Sequence, residues 1–245
     1  MKSFSLLILL TLQAVFASDD TLVFLEDGRS NQGEKIYSRF EISADHEVAW
    51  ETSGEGAFCP SIAGQFAGKI DLALHEKLIS LGLKAVSEQT PAAVKNNNFS
   101  KIYIIQNGKT TKASINKGGE SFETFYRTLM EIKRGLKPTK AVIMKVTKKK
   151  NEIQIHFELL GDGPFNLIFD KQRPGQFSLT PAKKASYSNR ERREQVILNQ
   201  KNKTHSIFLK GDFATITQVH YSNSTIVHHG SEKFPLQEIA LCAEF

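Results

Sequence analysis

The chain has 245 residues, of which 40% are apolar and 24% charged, and its formal charge is +6. With only 16 Gly, 7 Pro and 2 Cys it is not collagen-like, low-complexity or disulfide-dense, and its polarity excludes a multi-span membrane protein. What remains is a globular chain, long enough for one large domain or two of ordinary size.

At the N-terminus Lys2 precedes an apolar run, Phe4 to Leu12, followed by Val15 and Ala17 at small-residue processing positions. Charge, short hydrophobic stretch and cleavage site in that order read as a secretory signal peptide over 1–17. The run is too short to span a bilayer and meets Asp19-Asp20 at once. The expectation is an exported chain, periplasmic or extracellular, with no transmembrane segment after processing.

The next stretch predicts an α+β unit. Leu22–Leu25 reads as a strand, Ile36, Phe40 and Ile42 alternate with polar neighbours, and Asp45-His46 turns the chain into Val48-Ala49-Trp50. Ser53–Gly68, rich in glycine and small residues, reads as a loop. Asp71 is placed to cap a helix over Leu72–Val86, with Leu74, Leu78, Leu81 and Ala85 on the apolar face and His75 on the polar side. Asn107-Gly108 between two β-prone runs is a hairpin signal, and Gly118-Gly119 with Ser121 introduces a second helix to Arg134. Its apolar face is Phe122, Phe125, Tyr126, Leu129 and Ile132. That order predicts helices on one face of an antiparallel sheet.

From Thr139 onward the helical period is gone. Val142, Met144 and Val146 alternate, as do Ile153, Ile155, Phe157 and Leu159, with Gly161-Asp162-Gly163 and Pro174-Gly175 as turns. Further strand-like pieces are Gln195–Leu198, Ser206–Leu209, Phe213–Tyr221, Thr225–His228 and Leu236–Cys242. The expected fold is thus an α+β N-terminal domain over 18–136, an antiparallel sheet with two helices, followed by an all-β, immunoglobulin-like sandwich domain over 139–245.

Charge is unevenly spread. Residues 133–210 hold 18 Lys/Arg against 6 Asp/Glu, whereas 19–132 hold 12 against 16. The excess sits in Lys133, Arg134, Lys137, Lys140, Lys145 and Lys148–Lys150, then in Lys183, Lys184, Arg190, Arg192 and Arg193. Such a field attracts polyanions and weakens with salt. The expected contact residues are Lys148, Lys149, Lys150, Lys183, Lys184, Arg190, Arg192 and Arg193, with Lys148–Lys150 at a hairpin tip. Their expected partner is an anionic envelope polymer, a lipid headgroup or an exported protein. Few aromatics accompany these runs, so no stacking platform for specific nucleic-acid binding is present.

Catalytic motifs are mostly missing. No H-E-x-x-H, G-x-S-x-G or strand-following G-x-G-x-x-G occurs, and Gly28–Lys35 places Glu34 where a phosphate loop needs Lys. His220, His228 and Asp212 could meet around a zinc only if adjacent strands converged. The reading is a non-enzymatic binding protein without cofactor or metal.

Cys59 and Cys242 can form one bridge in an oxidising compartment, as against two buried thiols or a mixed disulfide with a partner. Closing so long a loop would remove unfolded-state entropy worth roughly 5 kcal/mol. An alternative function follows from that tie: the Ser53–Gly68 loop, stiffened at Cys59, would inhibit an exported protease. The element order from about Ile36 to Arg134 resembles that of small bacterial metalloprotease inhibitors of the emfourin type. Ser53-Gly54-Glu55-Gly56-Ala57-Phe58 stands where that family carries a Gly-Gly-Phe-like signature. The likeness is one of layout, and it assigns no residue a role.

Overall fold

The computed structural model describes residues 22–29, 35–54, 59–88, 98–115, 119–170, 177–182, 186–187, 193–223 and 239–245. The signal-peptide region, the Pro174-Gly175 turn and the strand expected at Thr225–His228 lie outside them. The described chain is mostly β, with two helices. In order it runs β1 (Leu22–Arg29), β2 (Lys35–Ile42), β3 (Glu47–Thr52), β4 (Ile62–Lys69), α1 (Leu72–Ser87), β5 (Asn98–Gln106), β6 (Lys109–Ile115), α2 (Glu120–Gly135) and β7 (Lys137–Lys149). It continues with β8 (Glu152–Gly161), β9 (Phe165–Asp170), β10 (Phe177–Thr180), β11 (Ser186–Tyr187), β12 (Arg193–Leu198), β13 (Thr204–Lys210), β14 (Gln218–Asn223) and β15 (Ile239–Glu244).

Ten strands form one antiparallel sheet in the order β11-β13-β8-β7-β4-β3-β2-β1-β5-β6. On one face of its β1–β6 end, α1 and α2 pack through Leu78, Ala85, Phe122, Phe125 and Leu129 onto Val23, Leu25, Phe40, Ile42, Ile102 and Ile104. Local chemistry fixes these elements. Asp71 Oδ1 accepts the Leu74 amide at 2.7 Å and caps α1. Asn107 and Gly108, at φ +49 and +70, make the tight turn between β5 and β6. The buried stripe of α1 is His75, Leu78, Gly82 and Ala85, rotated from the expected one. At Gly82 a β-carbon would lie 2.8 Å from Ile104 Cδ1, so the smallest residue lets the helix sit down on the sheet there.

The expected Ser53–Gly68 loop is corrected by β4, an interior strand paired with both β3 and β7. Its glycines serve close approach, not looping. Gly64 sits at φ +134, where a β-carbon would come within 2.3 Å of the Lys140 carbonyl oxygen. Residues 53–61 remain between β3 and β4. Phe213–Tyr221 is likewise a strand only from Gln218. Asp212 Oδ1 accepts from the Ala214 amide at 3.3 Å and Ile216 N–H closes on the Phe213 carbonyl, so a turn precedes β14.

A second core lies at the other end. Val142, Met144, Ile153, Ile155, Phe157 and Ile207 from the large sheet share it with Phe165 and Val196 of the β9–β12 pair and with Phe177, Val219, Tyr221 and Leu241 of the β10-β14-β15 sheet. Phe157 meets Tyr221 edge-on, ring centroids 5.1 Å apart. The β4–β7 ladder makes the large sheet continuous between the two cores.

Candidate functional site

The β7–β8 hairpin carries Lys145 and Lys148–Lys150 of the basic excess. Alternation along β7 turns Val142 and Met144 into the second core and leaves Lys145, Thr147 and Lys149 exposed. Lys149 pairs across the ladder with Glu152, and the turn at Lys150-Asn151 puts Lys149 and Lys150 at an exposed tip. Lys148 differs from its neighbours. Its ammonium donates to the Ile216 carbonyl at 2.8 Å and lies 4.8 Å from the Phe245 ring centroid, which anchors the tip to the turn before β14 and to the end of the chain.

Lys145 forms an ion pair with Glu158, whose acidity that ammonium increases through a hydrogen bond and charge. Arg193 opens β12, opposite Asp170 in the ladder. Lys183, Lys184, Arg190 and Arg192 lie outside the described residues, as do His228 and His229. Among the described residues the structure therefore brings together Lys148, Lys149 and Lys150 of the expected contact set.

Lys133, counted with the basic excess, is turned inward instead. Helical spacing from Phe122, Phe125 and Leu129 puts it over the sheet, where its ammonium lies 5.0 Å from the Trp50 ring centroid and 5.6 Å from that of Phe40. Burial lowers its pKa to about 8, partly opposed by the charge of Asp27. Asp27 is 7% exposed and takes a 2.7 Å hydrogen bond from Ser100 Oγ. Burial raises its pKa, while Lys133 and Ser100 work the other way. The signal was in the sequence: Asp27 continues the inward alternation of Val23 and Leu25, and Lys133 continues the apolar stripe of α2.

On the sheet face away from the helices, a row crosses the strands as Lys101, Glu26, Arg39, Glu51, Gln65 and Lys140 in register. Arg39 bonds Glu26, Tyr103 donates to Glu26 at 3.2 Å and Gln65 donates to Glu51. Cross-strand pairing satisfies these charged and polar groups within the sheet.

His75, expected on the polar side of α1, is 4% exposed. Its ring lies edge-on to His46, centroids 4.8 Å apart, and its Nε2 has no hydrogen-bond partner. Burial, reinforced by the charge of His46, lowers its pKa, with Glu76 acting in the opposite sense.

Cys59 and Cys242 stand at disulfide distance, with Sγ atoms 1.96 Å and Cα atoms 4.5 Å apart. Two backbone bonds flank them: Ala240 N–H to the Ser53 carbonyl at 2.9 Å and Cys242 N–H to the Pro60 carbonyl at 2.6 Å. The segment between β3 and β4 is thus tied at both ends to β15. No helix among the described residues is long and apolar enough to cross a membrane. A cysteine pair at this distance is consistent with an exported protein. Compared with protein-family models and with curated proteins, the sequence matches none.

Proposed function

We propose that this chain is an exported binding protein that engages an anionic envelope polymer or lipid headgroup through its basic surface. The observation that carries the reading is the mounting of the β7–β8 tip. Lys149 and Lys150 project into solvent, while Lys148 fastens the hairpin beneath them to the Ile216 carbonyl and the Phe245 ring. A hairpin tip anchored beneath its lysines has less backbone freedom to lose on meeting an anion than an unanchored one, which favours association. The wider field of residues 133–210 would draw the anion in and would weaken as salt rises. An exported protein with an acidic face would be taken by the same lysines. On this reading the chain is cleaved after residue 17 and comprises an α+β domain to residue 136 and an immunoglobulin-like sandwich from 139.

Its test is charge reversal. Lys149→Glu/Lys150→Glu should lower affinity for vesicles containing anionic lipid by about tenfold or more and flatten the salt dependence. Unchanged affinity would remove the tip from the account.

A second reading is favoured by the double tie of the 53–61 segment. Cys59 is paired with Cys242, and Ser53 and Pro60 are hydrogen-bonded to Ala240 and Cys242, so the two ends of a protease-inhibiting loop would be held in place. A panel of exported proteases unaffected at micromolar protein would dispose of it.

A further inference from the structure

The β14–β15 ladder places Gln218 opposite Glu244 and His220 opposite Cys242. Alternation sends Val219, Tyr221 and Leu241 into the core, so these four residues share the other face. There they form a chain of contacts. Gln218 Nε2 donates to Glu244 Oε1 at 2.8 Å, which turns the amide oxygen towards the imidazole, 3.3 Å from His220 Nε2. An acceptor at that point favours the tautomer with its proton on Nε2. The same Nε2 lies 3.8 Å from Cys242 Sγ.

The two sulfurs are not equivalent. Cys242 is 2% exposed, whereas Cys59 is half-buried at the foot of the 53–61 segment. Cys59 also holds φ +41, a left-handed backbone that an L-residue adopts reluctantly. Cys59 is therefore the more accessible residue of the pair, and Cys242 is the buried one, with an imidazole nitrogen beside its sulfur.

We infer that Cys59, Cys242 and His220 form a thiol–disulfide exchange site that takes small thiols of the glutathione class. The thiolate of the incoming molecule attacks Cys59 Sγ. A new sulfur–sulfur bond forms there, and the Cys59–Cys242 bond breaks with its electron pair on Cys242 Sγ. His220 Nε2–H turns from Gln218 Oε1 to hydrogen-bond the departing thiolate, and the proton shed by the incoming thiol passes through solvent to His220 Nδ1. The products are a mixed disulfide on Cys59 and a Cys242 thiolate paired with an imidazolium. A better-stabilised leaving thiolate speeds this exchange. Opening the pair leaves the backbone bonds of Ser53 and Pro60 to Ala240 and Cys242 in place.

The experiment uses the full mature chain with reduced glutathione as probe. The mixed disulfide is trapped with acid and located by peptide mass spectrometry. Glutathione on Cys59, with Cys242 left free, is the expected result. Glutathione on Cys242, or a native pair that exchanges no faster than a random-coil disulfide peptide, overturns the proposal. That arm needs no variant. In a second arm, His220→Ala should slow exchange by about tenfold or more, the scale of a hydrogen bond to a charged group, and His220→Gln, which returns an N–H donor, should recover part of the loss. Equal rates in all three proteins would remove His220 from the site.

Discussion

Two side chains carry most of the unusual chemistry at the residue scale. His75 is buried with one ring nitrogen unpartnered and a second imidazole against it, so its neutral form suits the fold and its cation does not. Its folded pKa lies below its unfolded value, so the unfolded chain binds the extra proton as pH falls. Stability from this site should be intact above about pH 6.5, the unfolded value, and decline below it. Thermal unfolding between pH 7.5 and 5 should show that slope in the wild type, and His75→Leu should flatten it. An identical slope in the variant would assign the acid sensitivity to other groups. Lys133 follows the same sign in the alkaline range. Its folded pKa of about 8 lies below the ordinary lysine value of 10.5, so stability from this group falls as pH drops from about 10.5 to about 8 and is level below that. Removing the ammonium leaves Asp27 buried without its countercharge. Lys133→Ala should cost about 3 kcal/mol in urea unfolding, and a loss under about 1 kcal/mol would show that Asp27 does not depend on it.

At the scale of elements, glycine decides which strands can sit side by side. Gly64 lies where β4 meets β7, and a β-carbon there would strike the Lys140 oxygen at 2.3 Å and Ala141 Cα at 2.4 Å. Gly64→Ala should therefore destabilise by about 3 kcal/mol or more. Gly108→Ala should lose only about 1 kcal/mol, because Gly108 shares the positive φ but has nothing within 4 Å of the added carbon. Similar losses in the two variants would mean that backbone conformation, not close approach, governs Gly64. The α1 cap offers a smaller effect: Asp71→Ala, measured the same way, should cost about 1 kcal/mol. These elements also show what a sequence can disclose. Asp71, Asn107-Gly108 and the alternation through Ile153–Leu159 act within a few residues, and the elements they predict are present. The strand β4 was hidden because its residues, Ala63, Gly64, Ala67 and Gly68, are small for the sake of neighbours far along the chain. His75 was misplaced for a related reason: the α1 stripe runs through Gly82, which no hydrophobic pattern registers.

For the whole molecule, the long-range pairings matter most. The β4–β7 ladder carries one sheet through both cores, and the Cys59–Cys242 pair, 183 residues apart in sequence, fastens the last strand to the segment after β3. Neither partner choice is written locally, since register between distant strands depends on how the cores close. The excess of basic residues over 133–210 was legible in the sequence, but not how its side chains divide. Lys149 and Lys150 face solvent, Lys148 is an anchor, and Lys133 belongs to the interior. If the cysteine pair constrains the unfolded chain as its separation implies, Cys59→Ser/Cys242→Ser should lower stability by about 2–5 kcal/mol in denaturant unfolding. A loss under about 1 kcal/mol would mean that strain in the folded state offsets the gain.

Binding through the β7–β8 tip is tested most directly by co-sedimentation of the protein with cell-envelope fractions. Wild type and Lys149→Glu/Lys150→Glu would be compared at about 50 mM and about 500 mM salt, spanning the range over which surface charge is screened. The account predicts wild-type binding at the lower salt, loss at the higher, and little binding by the variant at either. Equal binding by both proteins, or none by the wild type at the lower salt, would contradict it.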